Sequence, residues 1–469
     1  MQSNVPSRRA FLKAAAGAAA LAGCGGLARA AGAAPKNVLF ISIDDLNDWT
    51  GYQGGHPDVK TPNLDRLAAR GTAFTHTYCP APLCNASRAA LMTGILPSRS
   101  GVYLNDQDWR KSPVLQDAVT LSQHFMANGY SARGSGKIYH GGFQHPASWE
   151  EYWPSQEKSK PDDPDPPSIP WQGGAAARNH FDWGPLDVPD ADMGDARVAA
   201  WVSAQLAQRQ EKPFFLACGI FRPHLPWYVP QSYFDLYPLD SITLPEVKED
   251  DLDDVPPAAR AMARTESDHR PVVDNGLWRN AVQGYLASIS FADAQVGKVL
   301  DALDAGPHRD NTLVVLWSDH GWHLGEKLHW RKFSLWEEGT RNGMIFAGPG
   351  IPSGQRCESP VGLIDIYPTL IDLCGLTPRT GLDGVSLAGI IANSGTLPSR
   401  PAVTTYGRGN HSVRSKRWRY TRYADGGEEL YDHDADPMEW TNLASDETHA
   451  AVKVELAQWM PKADADFGL

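Results

Sequence analysis

The chain has 469 residues, enough to bury one large core with a smaller one attached, and its 42% hydrophobic and 21% charged content is that of an ordinary globular protein. Forty-three lysines and arginines against 55 acids give a net charge of −12; the first 30 residues hold Arg8, Arg9, Lys13 and Arg29 and no acid, so without them the charge falls to −16. Such a surface excludes general nucleic-acid affinity, and an anionic substrate would need positive charge concentrated in a pocket.

Residues 1–31 are set apart from the fold. Ser7-Arg8-Arg9-Ala10-Phe11-Leu12-Lys13 leads into an Ala/Gly/Leu run too short and too weakly apolar for a membrane span, the form of a twin-arginine export signal. The expected location is periplasmic or secreted, by way of the twin-arginine translocase. Two ends of this leader compete: Ala28-Arg29-Ala30 has the small-x-small form of a signal-peptidase site, and Leu21-Ala22-Gly23-Cys24 has the form of a lipobox that would anchor the chain through Cys24. The soluble form is preferred. Five further cysteines, an odd number at low density, imply neither a disulfide framework nor a structural zinc.

The run from Lys36 to Ile43 is apolar and β-rich, as in a buried parallel strand, and it ends in Asp44-Asp45. In open α/β sheets ligands bind at that carboxyl edge, although a solvated turn explains two aspartates equally well. Thr61 to Gly71 carries helix signals: Thr61 to cap, Pro62 in the first turn, Leu64, Leu67 and Ala68 on one face, and Gly71 as the stop. Cys84-Asn85-Ala86-Ser87-Arg88 then reads as a loop feeding a short helix that Gly94 ends. That places Cys84 at a helix N-terminus, where amide N–H groups favour negative charge, with Arg88 one turn on. A cysteine so placed is reactive; taken alone, a small buried core cysteine is the commoner case.

Asn105, Asp106 and Trp109 lie in a polar, aromatic loop suited to a sugar ring, though each serves equally well as a loop residue. A helix is expected over 121–128 and a strand over 130–133, followed by a flexible Gly134-Ser135-Gly136 turn that carries Lys137 and His140. Each alone is a common surface or core residue; beside an anion site they become candidates. Residues 145–190 are rich in Pro, Asp and Trp and are assigned no secondary structure. A helix over 195–208, a strand over 214–219 and the Pro223-His224-Leu225-Pro226 segment follow; the flanking prolines fix the backbone that aims His224. Residues 236–275 look irregular. A long helix over 280–305 shows a core stripe, and Thr312 to Ser318 is the clearest buried strand, ending in Asp319-His320-Gly321 with Lys332 beyond. A strand near 344–347 and a helix over 368–373 complete an alternation that implies an α/β fold: a large, mainly parallel sheet sandwiched by helices. From about residue 400 four short antiparallel strands and a helix over 450–459 read as a smaller α+β subdomain. The expected units are 1–31, 36–385 and 386–469.

Asp44, Asp45, Asp319 and His320 together with residue 84 would form a mostly oxygen, hard-cation site, favouring Ca²⁺ or Mg²⁺ over zinc, with Arg88, Lys137, His140, His224 and Lys332 around a bound anion. In order along the chain, Asp44-Asp45, Thr61-Pro62-Asn63-Leu64-Asp65-Arg66-Leu67, Cys84-x-x-Ser87-Arg88, Gly136-Lys137-x-x-His140, Ser318-Asp319-His320-Gly321 and Glu429-Leu430-Tyr431-Asp432 resemble the formylglycine-dependent sulfatases of the alkaline phosphatase superfamily, within which the chain is most similar to iduronate-2-sulfatase and related bacterial polysaccharide sulfatases.

The resemblance implies that a maturase oxidises Cys84 to Cα-formylglycine and that Asp44, Asp45, Asp319, His320 and the modified residue hold one Ca²⁺. It implies further that Arg88 and Lys137 steady the aldehyde hydrate and that Lys137 and Lys332 bind the sulfate of a sulfated carbohydrate. His224 as general acid and His140 as general base complete the expected set, with Asn105 and Asp106 near the sugar. Ala86 stands where the signature usually has proline, which leaves the maturase type open, and Arg341-Asn342-Gly343 replaces a more apolar segment. The alternatives are a phosphonate or phosphate ester hydrolase on the same scaffold, a non-catalytic glycan-binding relative, and, last, a thiolate hydrolase using Cys84 and a histidine.

Overall fold

A computed structural model describes residues 36–164, 181–393 and 400–466. The leader at 1–31, Cys24 and the middle of the 145–190 segment lie outside the described residues.

The centre is a nine-stranded sheet. Its strands are β1 (Asn37–Ile43), β2 (Gly71–Tyr78), β3 (Ser131–Gly136), β4 (Glu151–Trp153), β5 (Phe214–Ile220), β6 (Thr312–Ser318), β7 (Arg341–Ala347), β8 (Gln355–Cys357) and β9 (Val361–Gly362). The order across the sheet is β8-β2-β7-β6-β1-β5-β3-β4, with β9 also on β2. All pairs are parallel except those of β7, which runs antiparallel to both β2 and β6. Every residue of β1, β5 and β6 is buried, as the unbroken apolar runs require of strands covered on both faces.

Side-chain alternation divides the core in two. Leu39, Ile41 and Ile43 of β1 face one side, where the helices Pro62–Ala69, Gly194–Ala207 and Trp278–Ala305 bury Leu67, Val202 and Tyr285. Val38 and Phe40 face the other, against Leu91, Phe125 and Leu370 of the helices Cys84–Thr93, Leu121–Ala127 and Ile366–Cys374. Among the described residues no helix is long and apolar enough to cross a membrane.

Several sequence expectations change. The Gly134-Ser135-Gly136 segment is the end of β3 and not a flexible turn. Its glycines serve close approach: a Cβ on Gly136, at φ +82°, would come within 1.8 Å of the Gly219 carbonyl oxygen on β5. Strand β2 carried no sequence signal because its threonines and His76 interrupt the apolar pattern, yet it is buried on both faces apart from His76. The 145–190 segment includes β4 and a strand Trp183–Leu186 paired with Trp227–Pro230, and 236–275 holds short helices such as Pro257–Met262. Thr61 does not cap its helix: its hydroxyl accepts from the Gly51 N–H, while Asp293 of the long helix accepts from the N–H groups of Asn63 and Leu64. Arg341-Asn342-Gly343 forms a bulged start to β7, where Arg341 pairs with Asp48 at 3.2 Å and Gly343 leaves room for the Tyr52 hydroxyl.

The C-terminal residues form a four-stranded antiparallel sheet of β10 (Ala402–Thr405), β11 (His411–Arg414), β12 (Trp418–Arg422) and β13 (Glu428–Asp432), backed by the helix Ala450–Ala457. Its edge is bonded to the segment before Cys84: Thr404 Oγ1 donates to the Cys79 carbonyl at 2.6 Å and Thr405 N to the Pro80 carbonyl at 2.9 Å. Beneath lies a buried ion cluster in which Arg419 bridges Glu337 and Glu439, Arg414 joins Glu337, and His433 joins Glu439.

Candidate active site

Four adjacent parallel strands, β6-β1-β5-β3, end in register at one edge: Ile43 lies opposite Ile220 and Ser318, and Gly136 opposite Gly219. The next residues are therefore delivered together. They are Asp44 and Asp45 after β1, Asp319 and His320 after β6, Lys137 after β3, and the Phe221–His224 turn after β5. The helix Cys84–Thr93 meets this edge with its N-terminus, so Cys84 sits in the first turn and points into the cluster.

Around Cys84 Sγ lie Lys332 Nζ at 3.1 Å, His320 Nε2 at 3.3 Å, Lys137 Nζ at 3.6 Å and Asp45 Oδ1 at 3.7 Å. Ligand atoms of Asp45, Cys84, Asp319 and His320 all fall within 4.8 Å of one another, and so do those of Asp44, Asp45, Cys84 and His224. Asp45 holds a left-handed φ of 60°, fixed by its N–H bond to Asp319 Oδ1 and by the Tyr285 hydroxyl on its carbonyl. Arg88, one turn along the helix, is bonded to the carboxylates. Its fully buried guanidinium binds Asp44 Oδ1 at 2.8 Å, Asp319 Oδ2 at 2.9 Å and the carbonyls of Lys137 and Ile138.

Three buried carboxylates and three buried cations thus share one small volume. Burial pushes Asp44 up, but Lys137 and Arg88 outweigh it and hold its carboxyl well below the usual range. For Asp45 burial wins, and the neighbouring Asp44 adds to it against Lys332, so its carboxyl is raised. Burial also pushes the Cys84 thiol up despite both lysines. That direction runs against the thiolate that a cysteine–histidine hydrolase would need.

The donor set suits a hard divalent cation. Asp45 Oδ2 is buried with no hydrogen-bond partner, and the Nδ1 of His320 faces the Gly321 carbonyl at 2.9 Å, which leaves the Nε2 lone pair aimed at Asp45, Asp319 and Cys84. His224 is set the same way: its Nδ1 meets the Leu225 carbonyl at 2.6 Å and its Nε2 lies 3.9 Å from Asp45 Oδ2. Burial, then Lys137 and Lys332, hold it well below the usual histidine range. His140 is half-buried, its Nδ1 is without a partner, and burial followed by Lys137 lowers it to about 3.

Among the proposed sugar neighbours, Asn105 spends its side-chain oxygen on the Asn85 N–H at 2.9 Å, in the first turn of the Cys84 helix, and Asp106 is exposed. Trp109 is buried and stacked on Tyr139, and His323 is buried against Ser334. Sequence reasoning missed two aromatic walls. Phe221 lies 4.6 Å from the His224 ring and 5.2 Å from Lys137 Nζ, and Phe333 lies 5.8 Å from Lys332 Nζ. A phenylalanine next to a candidate residue was the only available signal.

Comparison with known proteins agrees with this geometry. Residues 36–376 match the Sulfatase family model, and residues 325–466 match that of the N-sulphoglucosamine sulphohydrolase C-terminal region. The chain is 39% identical over 456 residues to a sulfatase of Formosa agariphila, covering 92% of this chain and 87% of that protein. It is 30% identical over 397 residues to human iduronate 2-sulfatase, covering 72% and 69%. A solved 2-O GAG sulfatase superposes with a TM-score of 0.72 at 24% identity, covering 91% of each chain. The phosphonate monoester hydrolase of Agrobacterium radiobacter does so with 0.71 at 24%, covering 90% and 94%; both are likenesses of fold. With the family model spanning the strands that build this edge and the curated relatives covering most of the chain, the protein belongs to the sulfatase family, hydrolases of sulfate esters.

Proposed function

We propose that the protein removes sulfate from a sulfated carbohydrate, with a uronic acid 2-sulfate unit of a polysaccharide as the first candidate, and that Cys84 acts after oxidation to Cα-formylglycine. The observation that carries this reading is the meeting of two lysine ammonium groups with residue 84, 3.1 and 3.6 Å from its sulfur, at a cluster of three carboxylates. The likeness to iduronate 2-sulfatase supports the sugar.

Asp44, Asp45, Asp319, His320 and residue 84 would hold one Ca²⁺. Bound there, the ion supplies Lewis acidity and a template for the sulfate, and the hydrated aldehyde supplies a hydroxyl nucleophile in place of the thiol. Lys137 and Lys332 hold sulfate oxygens and neutralise charge that builds in the transition state. Arg88 fixes the orientation of Asp44 and Asp319. His224 delivers a proton to the departing sugar oxygen; entry of the anionic ester raises its proton affinity against the two lysines. His140, kept neutral by burial and Lys137, takes a proton at residue 84. Phe221 and Phe333 keep water from the lysines.

The leader at residues 1–31 supports export by the twin-arginine route. Peptide mass analysis across residue 84, from cells that supply a formylglycine-generating enzyme, tests the modification. Matched sulfate and phosphate esters test the reaction: phosphate hydrolysis exceeding sulfate hydrolysis would move the assignment to the phosphoester alternative, and an unmodified thiol in active protein would end the formylglycine reading.

A further inference from the structure

The two aromatic walls of the site each join an inner lysine to outer cations, and the two sides differ in how those outer charges are balanced. On one side Phe221 has Lys137 Nζ at 5.2 Å, Lys160 Nζ at 5.1 Å and the Arg222 guanidinium at 5.4 Å from its ring centre. Both outer cations are committed to Asp163, Lys160 at 2.9 Å and Arg222 at 3.1 Å. On the other side Phe333 has Lys332 Nζ at 5.8 Å and the Arg264 guanidinium at 4.8 Å. The guanidinium carbon is thus no farther from Lys332 Nζ than the sum of those two distances, and Lys332 Nζ itself is 3.1 Å from Cys84 Sγ.

Arg264 has no such partner. Among the described residues no carboxylate lies within ion-pair distance of it; its polar neighbour is the Tyr406 hydroxyl. The acids nearest in sequence are spent elsewhere, Glu266 on Arg270 at 3.1 Å and Asp268 on Arg331 at 3.0 Å. The side chain is exposed, and its backbone is left-handed at φ 52°, a conformation that costs an L residue energy and recurs at ligand clamps. Phe333 fixes the geometry, since its N–H donates to the Pro82 carbonyl at 3.1 Å, two residues before Cys84. A planar, always-charged group without a carboxylate partner, held on the ring that the sulfate-binding lysine also approaches, is arranged to recognise an oxyanion.

We propose that Arg264 determines specificity by binding a second anionic group of the substrate, a carboxylate or a further sulfate on the same sugar unit or the next one. This rests on the sulfatase reading and deepens it. The substrate carries at least two negative charges, one placed at Lys137 and Lys332 and the other at Arg264.

The test measures binding to the Cys84→Ala protein by calorimetry, with and without Arg264→Gln. Four sugars serve as probes: a 2-sulfated uronate, its carboxyl-reduced counterpart, a disulfated neutral hexose and a monosulfated one. The expected result is that Arg264→Gln weakens binding of at least one doubly charged sugar by about tenfold or more relative to its singly charged partner, the scale of a lost charge-assisted hydrogen bond. The carboxyl-bearing and disulfated arms show which group is read. Arg264→Lys retains part of the preference, which separates charge from folding. Equal affinity of the Arg264 protein for singly and doubly charged sugars, or equal weakening of both by Arg264→Gln, overturns the proposal. Turnover of 4-nitrophenyl sulfate by the Cys84 enzyme reports on the sulfatase reading independently.

Discussion

Replacing Glu439 with glutamine isolates one charge in the buried cluster that ties the C-terminal sheet to the rest of the protein. Burial alone would raise the Glu439 carboxyl, but Arg419 and His433 outweigh it and bring it down to about 2. The unfolded value is about 4.3, so this carboxylate stabilises the fold fully above that pH, and the contribution is lost as pH falls toward 2. A difference of roughly two pKa units at about 1.4 kcal/mol each corresponds to about 3 kcal/mol. Geometry gives a similar figure: removing one member of a buried ion pair costs about 3–5 kcal/mol, and Arg419 keeps Glu337, Ser412 and the Leu335 carbonyl, which places the loss at the lower end. Glu439→Gln should therefore cost about 3 kcal/mol at pH 7 and flatten the loss of stability between about pH 4.3 and 2. Urea unfolding at pH 7, 5, 4 and 3 measures both. If the variant and the parent lose stability in parallel over the acid range, Glu439 is not the charged partner the cluster requires.

Lys332→Met removes a cation held at 2.6 Å on Asp45 and aimed at residue 84, and should lower kcat/KM for sulfate esters by about 10²–10³; a loss below tenfold would place the sulfate elsewhere. Chelation should lower the melting temperature and added Ca²⁺ restore it, because a ligand at a hundred times its Kd contributes about 2.7 kcal/mol; identical melting curves would speak against a metal at the three carboxylates. His224→Ala should slow alkyl sulfates more than nitrophenyl sulfate, since only a poor leaving group needs the proton, and equal slowing in a Brønsted series would reject the acid role. Thr404→Val should cost about 1 kcal/mol through the lost bond to the Cys79 carbonyl, read as a lower urea midpoint at unchanged m-value.

The strands that build the site were legible because they are buried on both faces and end in chemistry. Val38 to Ile43 and Leu313 to Trp317 carry no polar interruption except Ser42, and the aspartates that follow mark their carboxyl edges. Strand β2 was not legible, since Thr72, Thr75, His76 and Thr77 dilute its pattern while tertiary packing buries most of them. The motifs pointed to Asp44, Asp45, Cys84, Lys137, Asp319, His320 and Lys332, which the structure brings together around one strand edge, but pairings made by distant residues left no local trace. Asp293 capping a helix 230 positions away, the bonding of Arg88 to both Asp44 and Asp319, and the Glu337–Arg419–Glu439 cluster all depend on which strands become neighbours.

Cys84 is only 1% exposed, and the segment that leads to it is latched by threonines 404 and 405 from the last strands of the chain to be synthesised. If this side chain is oxidised as proposed, the oxidising enzyme would have to reach it before those strands dock. On that reading the timing of C-terminal assembly would set how long the thiol stays available, and substitutions far from the site that hasten or delay that docking would change the fraction of active molecules without touching a catalytic group.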